Sequence, residues 1–340
     1  MGVRARFAAV VAASVMVIAW QANAAEVNVY SARKDQLIKP LLDEFTKQTG
    51  ITFNLLTADA DQLVARLKSE GANSPADILI TTDVGRLYRA KAEGLLQPVQ
   101  SAILDRNIPE RYRDPAGEWF GLSLRARIVF YAKDRVNPAE LSTYEALADP
   151  KWKGRICIRG SDNIYNQSLL ASMIAIHGPV KAEEWAKGMV ANFARKPQGG
   201  DRDQITAVAA GECDLAIANT YYYGNMITSS KPADKAAAEK VGVFWPNQGD
   251  RGAHVNISGG AVTKSARNKD AAIKLLEFLS GDEAQRIYAE VNQEYPVKGG
   301  VAWSDLVKSW GTFKADDLNV AALGDNNAAA VKIFDRVGWR

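Results

Sequence analysis

The chain has 340 residues, of which 42 are basic, 39 acidic, two histidine and two cysteine. This length is enough for two ordinary domains, each with its own core. The near balance of charge argues against a nucleic-acid partner or a polybasic membrane patch. The sequence has no nucleophile elbow, Walker loop or zinc-binding spacing of His and Glu, so we expect a protein that is not an enzyme.

Residues 1–24 have the pattern of a secretory signal peptide. Arg4 and Arg6 precede an apolar stretch at 7–20, and small residues follow at positions 22 and 24. The apolar stretch is shorter than a spanning helix needs, which disfavours the alternative of a membrane anchor. We expect a mature protein that begins at Ala25 and is exported to the periplasm. No Cys follows the cleavage site, so we expect no lipid anchor.

The region after this leader predicts two consecutive strand–helix–strand units. Apolar alternation indicates strands, and apolar spacing of three or four residues indicates helices. The strands are expected at 27–30, 51–56 and 78–80, and the helices at 41–49, ending at Gly50, and around 63–67, closing at Gly71. Two such units imply an open α/β sheet with right-handed crossovers.

A long strand-like run at 120–133 leads into a second α/β region. A strand of this length between two α/β regions would serve as a hinge. In the second region we expect strands at 155–159, 215–218 and 255–263, and helices at 165–177, 180–194, 271–279 and 283–291.

Three consecutive tyrosines, in the stretch ANTYYYG at 218–224, directly follow a predicted strand. Ligands of open α/β sheets lie beyond the carboxyl ends of strands, and Asn219 or Thr220 would cap a helix there. Tyr221 and Tyr222 would then lie in a first helical turn that faces a cleft. The alternative is that the rings pack in the core or cleft, with their hydroxyls hydrogen-bonded.

The chemistry of tyrosine narrows the choice of ligand. Tyrosine binds metals as phenolate, and its proton normally leaves at a pKa of about 10, so a hard, highly charged cation is needed at neutral pH. Ferric iron meets this requirement, and three phenolates would neutralise its charge. Softer metals favour His and Cys, but His177 and His254 are not in a paired helical spacing.

Five stretches resemble those of periplasmic ferric-ion-binding proteins, the solute-binding components of iron ABC importers. They are SPADILITTD (74–83), ADPKWKGRICIR (148–159), KPQGGDRDQ (196–204), ANTYYYGNM (218–226) and NISGGAV (256–262). The resemblance implies an α/β, two-lobed periplasmic binding protein of type II. Each lobe is a mixed sheet flanked by helices, with the ligand cleft between the lobes. It also implies a monomer that delivers Fe3+ to an inner-membrane ABC permease.

The same resemblance implies boundaries and ligands. Lobe 1 would comprise residues 25–124 and 252–303, and lobe 2 residues 125–251 and 304–340, with the second crossing near 251–255. The third phenolate would come from Tyr165 in SDNIYNQS, joining Tyr221 and Tyr222. Tyr223 would be structural.

The sequence departs from one branch of the family on the first lobe. Lys34 and Thr82 stand where some members have His and Glu, and Asp35 replaces a further tyrosine. The metal would then have open positions, and carbonate or bicarbonate could fill two of them as a synergistic anion.

The predicted partners of that anion are arginines. Arg33 in YSARKD and Arg125 in LRAR are the expected pair, because a planar guanidinium matches a planar oxyanion bidentately. Arg127, on the same strand face as Arg125, is the fallback. Surface or structural ion pairs are the alternative role for all three arginines.

The two cysteines and the class of ligand each allow two interpretations. Cys157 and Cys213 should form a disulfide in an oxidising compartment, with free buried thiols as the alternative. For the ligand, the alternative is a phosphorylated or carboxylated organic solute, bound by the same fold and contacted by the tyrosines.

Overall fold

The computed structural model describes residues 25–340, and the predicted signal peptide at 1–24 lies outside them. Strands and helices alternate along the described chain. The strands are β1 (Glu26–Ser31), β2 (Thr52–Thr57), β3 (Ile78–Thr82), β4 (Phe120–Ala132), β5 (Ile156–Cys157), β6 (Leu215–Asn219), β7 (Val241–Phe244), β8 (Val255–Val262) and β9 (Tyr295–Pro296).

The α-helices flank these strands. They are α1 (Asp35–Thr49), α2 (Ala60–Glu70), α3 (Val84–Ala92), α4 (Ala102–Asn107), α5 (Ile164–Ala191), α6 (Asp201–Ala210), α7 (Thr220–Ile227), α8 (Pro232–Glu239), α9 (Lys269–Leu279), α10 (Asp282–Asn292), α11 (Asp305–Lys308), α12 (Ala321–Asp325) and α13 (Asn327–Val337). Within residues 25–340, none of them is long and apolar enough to cross a bilayer.

The sheet is mixed. Its strand order is β2-β1-β3-β8-β4-β6-β5, and β7 and β9 also pair with β4. Strands β2, β1 and β3 are parallel, as are β5 and β6, whereas β8 and β4 run antiparallel to their neighbours. Parallel neighbours require crossover connections, which the helices supply. This agrees with the mixed α/β class that the sequence predicts.

Strand β4 changes partners along its length. Its first part, as far as Ala126, pairs with β8, and from Arg127 to Tyr131 it pairs with β6. The chain returns to the first set of strands at β8, which begins at Val255. The centre of β4 is therefore the point at which two sets of strands meet, and Arg125 lies there.

Glycine explains several helix ends. Helix α1 ends at Gly50 and α2 at Gly71, as predicted, and both glycines have positive φ values, of 72° and 54°. The two helices expected at 165–177 and 180–194 are the two halves of α5, which is broken at Gly178 (φ 81°, ψ 163°) just before Pro179. Strand β5 is shorter than expected and ends at Cys157.

The core has two clusters of buried apolar side chains. One surrounds β1, β3 and β8, and the other lies between α5, α13 and the adjoining faces of β4 and β6. The predicted disulfide is confirmed: Cys157 and Cys213 are bonded with their Cα atoms 5.8 Å apart, and both are buried.

Candidate metal centre

The tyrosine triplet begins α7 at the carboxyl end of β6. All five residues of β6 are buried, so the strand fixes the start of the helix. The rings of Tyr221 and Tyr222 are partly exposed, with centroids 4.3 Å apart. Asn219 is the N-cap residue, but its side chain makes no capping bond and instead accepts from Nη1 of Arg127 at 3.3 Å. The predicted position of the tyrosines in the first turn of a helix after β6 is confirmed. The predicted capping role of Asn219 is not, because its side chain bonds to Arg127 instead.

Tyr223 points away from this pair into the core. Its hydroxyl donates to the backbone oxygens of Ala238 and Val241, at 3.3 and 3.2 Å, and its ring packs 5.3 Å from that of Phe130. One tyrosine of the triplet therefore anchors α7, while the other two stay partly exposed at its start.

Tyr165 reaches the same place from a distant part of the chain. It lies in the first turn of α5, where Asn163 caps the helix by accepting from the Tyr165 amide at 3.0 Å. The hydroxyl of Tyr221 donates to that of Tyr165 at 3.2 Å. Three phenols from two helix starts, Tyr165, Tyr221 and Tyr222, thus share one site.

The three phenols have divergent acidities. Burial opposes ionisation of Tyr165, but the charge of Arg125, the hydrogen bond from Tyr221 and the charge of Arg86 outweigh it and lower its pKa. Burial and the neighbouring Tyr165 raise the pKa of Tyr221 well above its ordinary value, and they raise that of Tyr222 as well. Three adjacent phenolates would repel one another, and a bound cation would offset that repulsion.

Arg125 lies beside Tyr165 with part of its guanidinium unused. Its guanidinium carbon is 5.8 Å from the Tyr165 ring centroid, and Nη1 donates weakly to Ser258 at 3.4 Å. Nη2 is buried without a hydrogen-bond partner, 4.0 Å from a carboxylate oxygen of Asp83. Among the described residues, Arg125 thus has a buried donor available for an anion.

Both Nη atoms of Arg127 have hydrogen-bond partners, and only its Nε has none within residues 25–340. It pairs with Asp201 at 2.9 Å, donates to Asn166 at 2.6 Å and to Asn219 at 3.3 Å, and contacts the Ile217 carbonyl at 3.3 Å. These contacts tie β4 to α5, α6 and β6. They match the structural ion-pair alternative better than a role in anion binding.

Arg33 combines a buried ion pair, as in Arg127, with an unpaired buried donor, as in Arg125. Its Nη2 pairs with Glu294 at 2.5 Å and donates to Ser123 at 3.0 Å, while its Nε is buried without a partner. Its guanidinium lies 5.0 Å from the Tyr288 ring centroid. Arg33 is therefore held by a buried ion pair.

Lys34, Asp35 and Thr82, the residues that depart from the family pattern, differ in their distance from Tyr165. Lys34 and Asp35 are exposed at the start of α1, whereas Thr82 ends β3 next to Tyr165. In residues 25–340 no three His, Cys, Asp or Glu side chains gather in a way that could hold a metal. The phenols are thus the concentrated set of hard oxygen donors.

Sequence reasoning missed two further arginines near Tyr165. The Arg159 guanidinium lies 5.5 Å from its ring centroid and pairs with Asp201 at 3.3 Å, and Arg86 on α3 lowers the Tyr165 pKa. Each follows a strand that ends at the cleft. Their position after a strand, the same pattern that predicts the tyrosine site, could have identified these arginines from the sequence.

The mixed α/β fold indicates a two-lobed solute-binding protein, and comparisons with known proteins agree with that class. A family model described as bacterial extracellular solute-binding protein matches residues 73–317. Iron uptake protein A1 of Synechocystis sp. is 53% identical over 315 residues, which cover 93% of this chain and 88% of that protein.

Solved structures give the same result. The structure described as Trichodesmium FutA in complex with iron and citrate has a TM-score of 0.91 and 55% identity, covering 93% of this chain and 100% of that one. Apo ferric ion-binding protein A of Pasteurella haemolytica has a TM-score of 0.86 and 46% identity, covering 92% and 98%. The chain belongs to the bacterial extracellular solute-binding proteins, in the group of periplasmic ferric-ion-binding proteins, and the predicted type II fold is confirmed.

Proposed function

We propose that this protein captures ferric iron in the cleft through the phenolates of Tyr165, Tyr221 and Tyr222. The observation that carries the proposal is the meeting of the three phenols, with the Tyr165 and Tyr221 hydroxyls 3.2 Å apart. Three phenolates balance a trivalent cation, and the raised pKa values of Tyr221 and Tyr222 mean that a weakly charged metal would not displace their protons. Iron is the cargo of this site.

A carbonate ion would complete the coordination. Arg125 is its best partner, because its buried Nη2 has no hydrogen bond within the described part of the chain. Arg33 would add charge from the other side, with Glu294 holding it in place. Arg127, engaged with Asp201, would stabilise the cleft floor instead.

The transport role follows from the fold group. The lobes would be residues 25–124 with 252–303 and residues 125–251 with 304–340, a division supported by the change of partners within β4. The protein would act as a monomer in the periplasm after loss of residues 1–24. Lobe closure would trap iron, and docking of the closed protein on an ABC permease would deliver it.

A visible absorption spectrum tests the proposal. Protein loaded with ferric iron should show a phenolate-to-iron band, which Tyr221→Phe and Tyr222→Phe should weaken together with the affinity. Tyr223→Phe is the matched control, since its hydroxyl bonds to backbone oxygens in the core. A colourless wild-type protein that binds a phosphorylated or carboxylated solute would replace this proposal with the alternative.

A further inference from the structure

Asp83 occupies an unusual position at the edge of the site. It is the first residue after β3, it is 1% exposed, and it caps α3 by accepting from the Gly85 amide at 2.9 Å. Its backbone has φ 76° and ψ 125°, a conformation that residues other than glycine seldom adopt. Such a conformation persists where surrounding contacts hold it.

Those contacts come from several elements at once. Oδ1 also accepts from the Ser168 hydroxyl at 2.8 Å, and Oδ2 accepts from Nδ2 of Asn256 at 2.9 Å. Nη2 of Arg125 lies 4.0 Å away. One carboxylate therefore joins the start of α3 to β8 and α5, beside the arginine proposed to hold the anion.

The bond to Ser168 joins the two proposed lobes. Asp83 follows β3 on the proposed first lobe, whereas Ser168 is on α5 of the proposed second lobe and is fully buried. Ser168 comes three residues after Tyr165, so both side chains lie on the same side of α5. This bond requires the starts of α3 and α5 to be in contact.

A second contact confirms how close the two helix starts are. A Cβ atom added to Gly85 would lie 2.9 Å from Cδ1 of Ile164, which precedes Tyr165. Glycine at this position lets α3 approach the first turn of α5. The bond between Asp83 and Ser168 therefore lies where the two proposed lobes are closely packed.

We infer that the hydrogen bond between Asp83 and Ser168 forms a latch that holds the closed, iron-loaded state. The inference rests on the proposed function. When the lobes separate, the Asp83–Ser168 bond breaks, whereas the bonds from Gly85 and Asn256 remain on the first-lobe side. The latch therefore distinguishes closed from open protein and affects the release of iron more than its first capture by Tyr221 and Tyr222.

The test compares Ser168→Ala with Ser172→Ala. Both serines are fully buried on α5, but the Ser172 hydroxyl donates within its own helix, to the Leu169 carbonyl at 2.7 Å. Iron release to a competing chelator is followed by loss of the visible band, and the radius of gyration is measured by small-angle X-ray scattering with and without iron. Ser168→Ala should release iron roughly tenfold faster, as expected for a lost hydrogen bond to a charged group.

Further readouts separate a latch from general damage. The loaded Ser168→Ala protein should be less compact than loaded wild type, with an unchanged association rate and an unchanged band position. Ser172→Ala should match wild type in each of these. Ser168→Cys keeps the shape with a weaker donor and should be intermediate, which provides a second variant if Ser168→Ala folds poorly.

The possible failures are distinct. Equal release rates and equal compaction for Ser168→Ala and Ser172→Ala would overturn the latch while leaving the iron site intact. A wild-type protein that shows neither the visible band nor compaction on adding iron would overturn the proposed function, and the latch with it.

Discussion

The two walls of the cleft hold their polar groups in different ways. On the tyrosine wall, made of Tyr165, Tyr221 and Tyr222, the tilted rings of Tyr221 and Tyr222 lie with centroids 4.3 Å apart, and the hydroxyls of Tyr221 and Tyr165 are 3.2 Å apart. On the arginine wall, made of Arg33 and Arg125 with Asp83, charged groups are fixed by an ion pair and several hydrogen bonds. One wall is neutral until it loses protons, whereas the other carries fixed charge.

This difference separates two sources of affinity. In the proposed function the tyrosine wall would exchange protons for a metal ion, so its contribution would depend on pH and on each phenol being present. The arginine wall would supply positive charge and closure contacts, so its contribution would depend on the anion and on the lobes meeting.

The largest expected effect is on the tyrosine wall. Tyr165→Phe removes a ligand and should weaken iron binding by more than the about 10–100-fold typical of a lost outer-shell contact. Tyr223→Phe should leave affinity unchanged and lower the free energy of unfolding by about 1 kcal/mol, because it loses hydrogen bonds to Ala238 and Val241. Iron titrations and denaturant unfolding of both variants measure this, and the reverse order would assign the third ligand to Tyr223.

The next effect is the pH dependence of iron binding. The pKa values of Tyr221 and Tyr222 are raised, so without iron both phenols keep their protons at neutral pH. Binding must displace them, so affinity should rise with pH by about tenfold per pH unit for each proton displaced. Chelator competition between pH 6 and 8, corrected for protonation of the chelator, measures the slope. An affinity independent of pH would mean that the phenols are not ligands.

A smaller effect should distinguish the two neighbouring arginines of β4. Arg125→Lys keeps the charge but loses the planar fork, and should weaken iron binding by about tenfold and reduce its dependence on bicarbonate. Arg127→Lys disturbs the buried pair with Asp201, and should lower the free energy of unfolding by about 2 kcal/mol while bicarbonate dependence remains.

The measurements are iron titrations with and without bicarbonate, together with denaturant unfolding, on both lysine variants. If Arg127→Lys abolished the bicarbonate dependence and Arg125→Lys did not, the anion would belong to Arg127. Indifference of the affinity to bicarbonate in the wild type would remove the anion from the site altogether.

Local signals in the sequence were enough for the first strand–helix–strand units. The apolar alternation at 27–30 and the glycines at 50 and 71 depend on short-range rules, and the structure follows them. Helix α6 was not predicted, because its buried positions include Asp201, whose place is set by the distant Arg127. Strand β5 ends early, before Arg159, which reaches Asp201.

Part of the candidate site could be predicted from the sequence. The position of Tyr221 and Tyr222 after a buried strand follows from local pattern, but Tyr165 came from family resemblance, because no periodicity links α5 to α7. The contact between Asp83 and Ser168 spans 85 residues and joins two elements by their side chains alone. Nothing in either segment marks the pairing, so the structure was needed to find it. The ligand roles themselves stay predictions.

The disulfide has a consequence for how the tyrosine wall assembles. Tyr165 and Tyr221 are 56 residues apart along the chain, yet each lies only a short segment beyond one end of the Cys157–Cys213 bond. Through that bond the connecting path shrinks to roughly 16 residues, which raises the effective concentration of one phenol near the other. The oxidised chain therefore keeps two of its three proposed ligands tethered together before the lobes have formed, and a reduced chain would have to find that pairing through the full loop.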